Sequence, residues 1–126
     1  MRAVDTNILV RLITRDDPRQ FAIASRWVEG GVWVPLLALA EAVWVLSAVY
    51  ERGRVEIASA VETLLDHKEL ILQDSEVVAA ALAEFRERPR LSFSDCLLLE
   101  LARKSGHLPL GTFDRDLSKL EGAEKL

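Results

Sequence analysis

The sequence predicts an α/β fold, with helices packed around a central, mainly parallel sheet. Short apolar runs that end in turn or capping residues alternate with longer segments whose apolar residues recur at helical spacing, the order of elements that builds such sheets. The chain has 126 residues, 50% of them hydrophobic and 29% charged, enough to bury roughly two-thirds of the surface its unfolded form would expose. No linker, internal repeat or low-complexity stretch divides it, so residues 1–126 are expected to form a single domain.

The elements follow in order. RAVD is a first strand ending at Asp5, and TNILVRLI a helix with Ile8, Leu9, Leu12 and Ile13 on one face. Asp16 or Asp17 before Pro18 starts a second helix carrying Phe21, Ala24, Trp27 and Val28, and Gly30-Gly31 stops it. Residues 32–34, VWV, form a strand, and Pro35 opens a deeply apolar helix over 36–50. Residues 55–66 repeat apolar groups at helical spacing, and LIL at 70–72 is a third strand. Ser75 caps a helix that must end near Pro89. Ser92 then caps a helix containing Asp95, which stops at Gly106; LPLGTF is a fourth strand, running into Asp114-Arg115-Asp116 and a short final helix.

Composition excludes several classes. One cysteine, Cys96, and two separated histidines leave no disulfide framework and no zinc-type cluster, which fits a reducing cytosol. The amino terminus has no signal-peptide pattern, so a cytoplasmic location is expected. Residues 32–50 are the one membrane candidate, but the roughly 15 residues after Pro35 would reach only about 22 Å, short of a hydrocarbon core of about 30 Å. Glu41 also lies near the centre of that segment. No membrane association is expected. With 16 Lys and Arg against 20 Asp and Glu, the net charge is −4. A nucleic-acid ligand therefore needs a local basic patch or a bound cation, because the protein has no overall basic field.

Four carboxylates are oddly placed. Asp5 lies at the carboxyl end of the first strand and Asp114 just after the fourth, where open parallel sheets bind ligands. Glu41 is the only charge between positions 32 and 50 and is expected to be at least partly buried, with Leu37 and Val45 at i±4 offering no partner. Asp95 precedes the apolar run Cys96-Leu97-Leu98-Leu99. Each acid has a plainer use: Asp5 in an Asx-turn, Glu41 paired with a distant arginine, Asp95 capping its helix, Asp114 starting the last one. Together they share one explanation, because clustered carboxylates repel by about 4 kcal/mol at 4 Å in an effective dielectric of about 20 and so require a cation. An all-oxygen donor set selects a hard ion, Mg²⁺ or Mn²⁺, suited to metal-assisted phosphodiester hydrolysis.

Four segments in the chain, VDTNILVR at 4–11, PLLALAEAVWVL at 35–46, FSDCLLLELARKSG at 93–106 and GTFDRDL at 111–117, resemble PIN-domain ribonucleases of the VapC toxin type almost from end to end. The resemblance implies a three-layer PIN-like fold whose five-stranded sheet has the order 3-2-1-4-5, with AEKL near the carboxyl end as an edge strand. It makes Asp5, Glu41, Asp95 and Asp114 the catalytic and metal-binding quartet, Asp5 and Asp95 being the best metal ligands. Asn7 and Thr112 are implied as polar support, and Asp116 is the runner-up for the fourth acid. It also implies Mg²⁺-dependent cleavage of RNA, a homodimer, and inhibition by a cognate VapB-type antitoxin. Ser94 and Cys96 depart from the Ala-like residues that flank the third acid in many relatives.

Two other metal-using α/β families fit less well. A haloacid-dehalogenase-type phosphatase needs a second Asp two positions after the first, where this chain has Asn7. A response-regulator receiver needs a phosphoacceptor Asp near mid-chain, and none occurs between Asp17 and Asp66.

Overall fold

The computed structural model describes residues 1–126, whose contacts fall into two compact units, Met1–Ser75 and Glu76–Leu126. In the first unit the order is β1 (Arg2–Ala3), α1 (Thr6–Thr14), α2 (Pro18–Val28), β2 (Val32–Val34), α3 (Leu36–Ala48), α4 (Arg54–Asp66) and β3 (Leu70–Leu72). In the second it is α5 (Ser75–Glu87), α6 (Phe93–Lys104), β4 (Leu110–Thr112), a 3₁₀ turn (Leu117–Lys119) and β5 (Ala123–Lys125). The α/β class is as expected. The ladders are two, both parallel: three strands in the order β3-β2-β1 and two in the order β4-β5, instead of one continuous five-stranded ladder. Very short strands account for this difference in detail, since β1 has two residues before the chain turns into the α1 cap and offers few ladder groups.

The first unit is built from local stop and start signals. Asp5 caps α1, its Oδ1 accepting from the Ile8 N–H at 3.2 Å. Asp17 caps α2 in the same way through Gln20, with Pro18 in the first turn. Gly30 and Gly31 have φ of 83° and 98°, a region glycine enters without steric cost, and they turn the chain from α2 into β2. Pro35 has no side chain with which to cap α3, so the Leu36 N–H donates instead to Gln73 Oε1 at 2.8 Å. That helix ends at Ala48, two residues before the expected position. No helix in the protein is long and apolar enough to cross a membrane.

Burial follows the periods. Val32, Val34, Leu70 and Leu72 point inward from β2 and β3, while Trp33 and Ile71 between them lie on the other face and stay partly exposed. Leu9 and Val10 of α1 and Leu39, Ala42, Val43 and Leu46 of α3 are buried where those helices pack together. Each large side chain so buried contributes about 1.5–3 kcal/mol. At the edge of the sheet, Trp27 Nε1 donates to the Ala3 carbonyl at 3.0 Å, and the Arg2 guanidinium lies 3.9 Å from the Trp27 ring centroid. The end of α2 thereby covers β1.

A polar network ties the carboxyl ends of α1 and α3 to the start of α2. Arg11 donates to Gln20 Oε1, Asp16 Oδ1 and Tyr50 Oη at 2.6, 3.0 and 3.0 Å, and the Tyr50 hydroxyl donates to Asp16 Oδ2 at 2.8 Å. The Thr14 hydroxyl adds a 2.8 Å bond to Asp16. Hydrogen bonds from Thr14 and Tyr50 hold the Asp16 carboxyl below its ordinary range, and Arg11 adds to the effect.

In the second unit the buried apolar residues are Val77, Val78, Ala81, Leu82 and Phe85 of α5 and Phe93, Cys96, Leu97 and Leu99 of α6. Phe85 and Phe93 meet edge to face at 5.8 Å and 89°, a favoured aromatic geometry. Lys104 pairs with Glu76 on the surface. Gly122, at φ 94°, has the Arg103 guanidinium 3.2 Å from where a Cβ would stand, so only glycine fits the turn into β5. AEK is the expected edge strand, whereas the final helix is a single 3₁₀ turn anchored by buried Leu117 and Leu120.

Candidate functional site

The first unit places two of the four acids in one neighbourhood. Asp5 is exposed, at the carboxyl end of β1, where the chain leaves the strand and enters α1. Its neighbour Thr6 donates its hydroxyl to Glu41 Oε2 at 3.4 Å, which joins the start of α1 to the middle of α3. Glu41 is exposed, which corrects the expectation of burial. Helix α3 is apolar nearly all the way round, so its sequence does not mark the inward side; packing against α1 selects Ala38, Leu39, Ala42, Val43 and Leu46. Glu41 is left outside beside Leu37 and Trp44, which are 70% and 64% exposed. Water then solvates the carboxylate, and no arginine partner is needed.

The second unit carries the other two at the starts of helical segments. Asp95 is the third residue of α6 and half-buried; its N–H donates to Ser92 Oγ at 3.1 Å, so Ser92 is the cap and the Asp95 carboxylate is left out of that bond. Asp114 is exposed and follows β4 by one residue. Its N–H donates to Thr112 Oγ1 at 2.9 Å, and its Oδ1 accepts from the Leu117 N–H at 2.8 Å. Thr112 thus supports the fourth acid, and Asp114 also has the plainer use, capping the 3₁₀ turn. Asp116 is half-buried and pairs weakly with Lys119 at 3.8 Å.

Asn7 is exposed on α1, and it is Thr6, a residue with no conspicuous motif role, that reaches an acid. A hydroxyl directly after a strand-end aspartate is the only sequence signal that could have drawn attention to it. Within either unit, no group of three or more His, Cys, Asp or Glu side chains is close enough to hold a metal ion. Each unit carries two of the four acids.

Comparison with known proteins bears on what these carboxylates do. No curated protein and no solved structure matches the sequence significantly. The PIN domain family matches residues 2–123, a span that includes all four acids and both units. PIN domains are generally nucleases and typically depend on divalent metal ions. With nearly its whole length matched, the chain belongs to the PIN domain family.

Proposed function

We propose that the chain is a Mg²⁺-dependent endoribonuclease, the toxin of a VapBC-type toxin–antitoxin pair, working as one PIN domain. The observation that carries the reading is the placement of the acids: Asp5 at the β1 end, linked through Thr6 to Glu41, and Asp95 and Asp114 at the starts of α6 and the 3₁₀ turn. All are solvent-accessible oxygen donors. By the motif resemblance Asp5 and Asp95 are the residues that would hold the ion, and Glu41 and Asp114 those that would orient water and accept its proton at a carboxylate oxygen. When bound, the ion supplies charge neutralisation on the phosphodiester and a more acidic water. Thr112 fixes the backbone from which Asp114 projects, and the Thr6 hydroxyl fixes the Glu41 carboxylate.

The toxin assignment, the homodimer and the antitoxin rest on the motif resemblance, and the exposed apolar residues Leu37 and Trp44 of α3 support an association surface. Light scattering at micromolar concentration should return a dimer. An RNA cleavage assay with Mg²⁺, repeated with EDTA and with Asp5→Asn and Asp95→Asn, tests the catalytic reading. Cleavage that EDTA leaves untouched, or that both variants retain in full, removes it. A chain that binds RNA without cutting it would instead be a non-catalytic member of the family.

A further inference from the structure

We propose that a cleft in the second unit, between the turn that follows α5 and the 3₁₀ turn, binds the phosphate backbone of the RNA substrate, with Arg90 and Lys119 as its cations. This deepens the ribonuclease reading above and rests on it. The cleft has a volume of about 260 Å³, and the cations Arg88, Arg90 and Lys119 line it together with the acids Glu87 and Asp116. Arg90 is exposed and no carboxylate pairs with it. Lys119 is held only by the 3.8 Å contact to Asp116, an exposed pair of the kind that contributes little. Both cations are available to a phosphate.

Their backbone is fixed although their side chains are free. The Leu91 N–H donates to the Arg88 carbonyl at 3.0 Å, and Leu91 and Phe93, each 2% exposed, clamp the segment that displays Arg90. Buried Leu117 and Leu120 do the same for Lys119. An arginine so placed has only side-chain entropy to lose on gripping a phosphate, and its planar fork matches the phosphate oxygens.

Position along the chain ties the cleft to the proposed chemistry. Leu91 on one wall lies four residues before Asp95, and Asp116 on the other lies two residues after Asp114, spans of at most about 14 Å and 7 Å. Two clefts of the first unit are placed differently. They lie along α1 and α4 at the Arg15 end of α1, the opposite end from Asp5. Arg15, which lines both, lies over the Phe21 ring at 4.6 Å. In a protein of net charge −4, attraction for RNA has to be local, and in this cleft Arg90 and the weakly paired Lys119 stand close along the chain to two candidate acids.

The test measures binding of a fluorescein-labelled single-stranded oligoribonucleotide to the full chain in EDTA across a salt series, alongside cleavage with Mg²⁺. Arg90→Ala and Lys119→Ala should each weaken binding about 3- to 10-fold at low salt. Each should also reduce the slope of log affinity against log salt by about 0.7, the value for one single-strand phosphate contact. Arg90→Lys should recover the slope, and Arg19→Ala, on the exposed surface of α2, should change neither quantity. If wild type binds and cuts RNA while the Arg90→Ala/Lys119→Ala double variant keeps its affinity and slope, the cleft assignment fails and the nuclease reading stands. If wild type neither binds nor cuts RNA, both fail. Displacement of the labelled RNA by polyglutamate as readily as by unlabelled RNA would assign the cleft to an acidic protein segment and overturn the proposal.

Discussion

The two acidic pairs are held in different ways. In the first unit Asp5 and Glu41 stand on separate helices, α1 and α3, connected near the acids by Thr6 and at their far ends by the Arg11–Asp16–Tyr50 network. In the second, Asp95 stands on α6 and Asp114 just before the 3₁₀ turn, and Phe93 and Leu117 beside them are buried. Polar bonds fix direction and depend on protonation, whereas apolar anchors fix position and do not. The contrast is one of degree, since Leu9 and Leu46 also anchor α1 and α3 and Thr112 also bonds Asp114; loss of the Tyr50–Asp16 network should weigh on the first unit, and loss of apolar volume on the second.

The largest effect expected is on that second anchor. Phe93→Ala removes a ring that is 2% exposed and packed on Phe85, and should cost about 3–5 kcal/mol of stability in denaturant unfolding. Tyr50→Phe deletes only a hydroxyl from the first unit's network and should cost much less. A greater loss from Tyr50→Phe would reverse the comparison.

Next in size is the loss of a ligand charge. Asp5→Asn and Asp95→Asn should each lower RNA turnover at least about 100-fold, equivalent to about 2.7 kcal/mol in the barrier. Their melting temperatures should stay close to wild type, because neither change alters volume appreciably. The fourth acid separates from its neighbour in the same assay. Asp114→Asn should lower turnover while Asp116→Asn keeps it, and the opposite result would move the role to Asp116.

Capping gives a smaller effect that isolates structure from chemistry at one residue. Asn caps a helix about as well as Asp, but Ala does not, so Asp5→Ala should lose about 1 kcal/mol of stability that Asp5→Asn retains. Both should be inactive. If Asp5→Ala melts like wild type, the bond to Ile8 contributes nothing and the acid is present for function alone.

These same residues show what the sequence could reveal. Asp17-Pro18, Gly30-Gly31 and Ser92 act on bonds within three residues of themselves, so the helix limits they set were legible. LIL and AEK were legible as strands, but their grouping into ladders was not, because pairing depends on distant partners. The exposure of Glu41 was hidden by an α3 helix without a polar face to mark its outer side. Thr6–Glu41 and Tyr50–Asp16 join residues 35 and 34 positions apart, and no local pattern predicts them.

The smallest effect distinguishes two carboxylates that both titrate low. Asp16 in the first unit is lowered first by the Thr14 and Tyr50 hydroxyls, and Glu76 in the second by Lys104. A depressed folded pKa means that each carboxylate stabilises the fold above its unfolded value, 3.8 for Asp16 and 4.5 for Glu76, and that this contribution disappears as pH falls through the folded value. The causes differ in their response to salt. A pair of exposed full charges is screened when the Debye length shrinks to about 3 Å at about 1 M, while bonds from neutral hydroxyls at 2.8 Å are not. Carboxylate-detected NMR titration at low and high salt should therefore raise Glu76 more than Asp16, with the backbone hydrogen bond keeping part of the Glu76 depression. If salt raises both equally, Arg11 dominates at Asp16, and the first unit's network is an ion pair with hydroxyls attached.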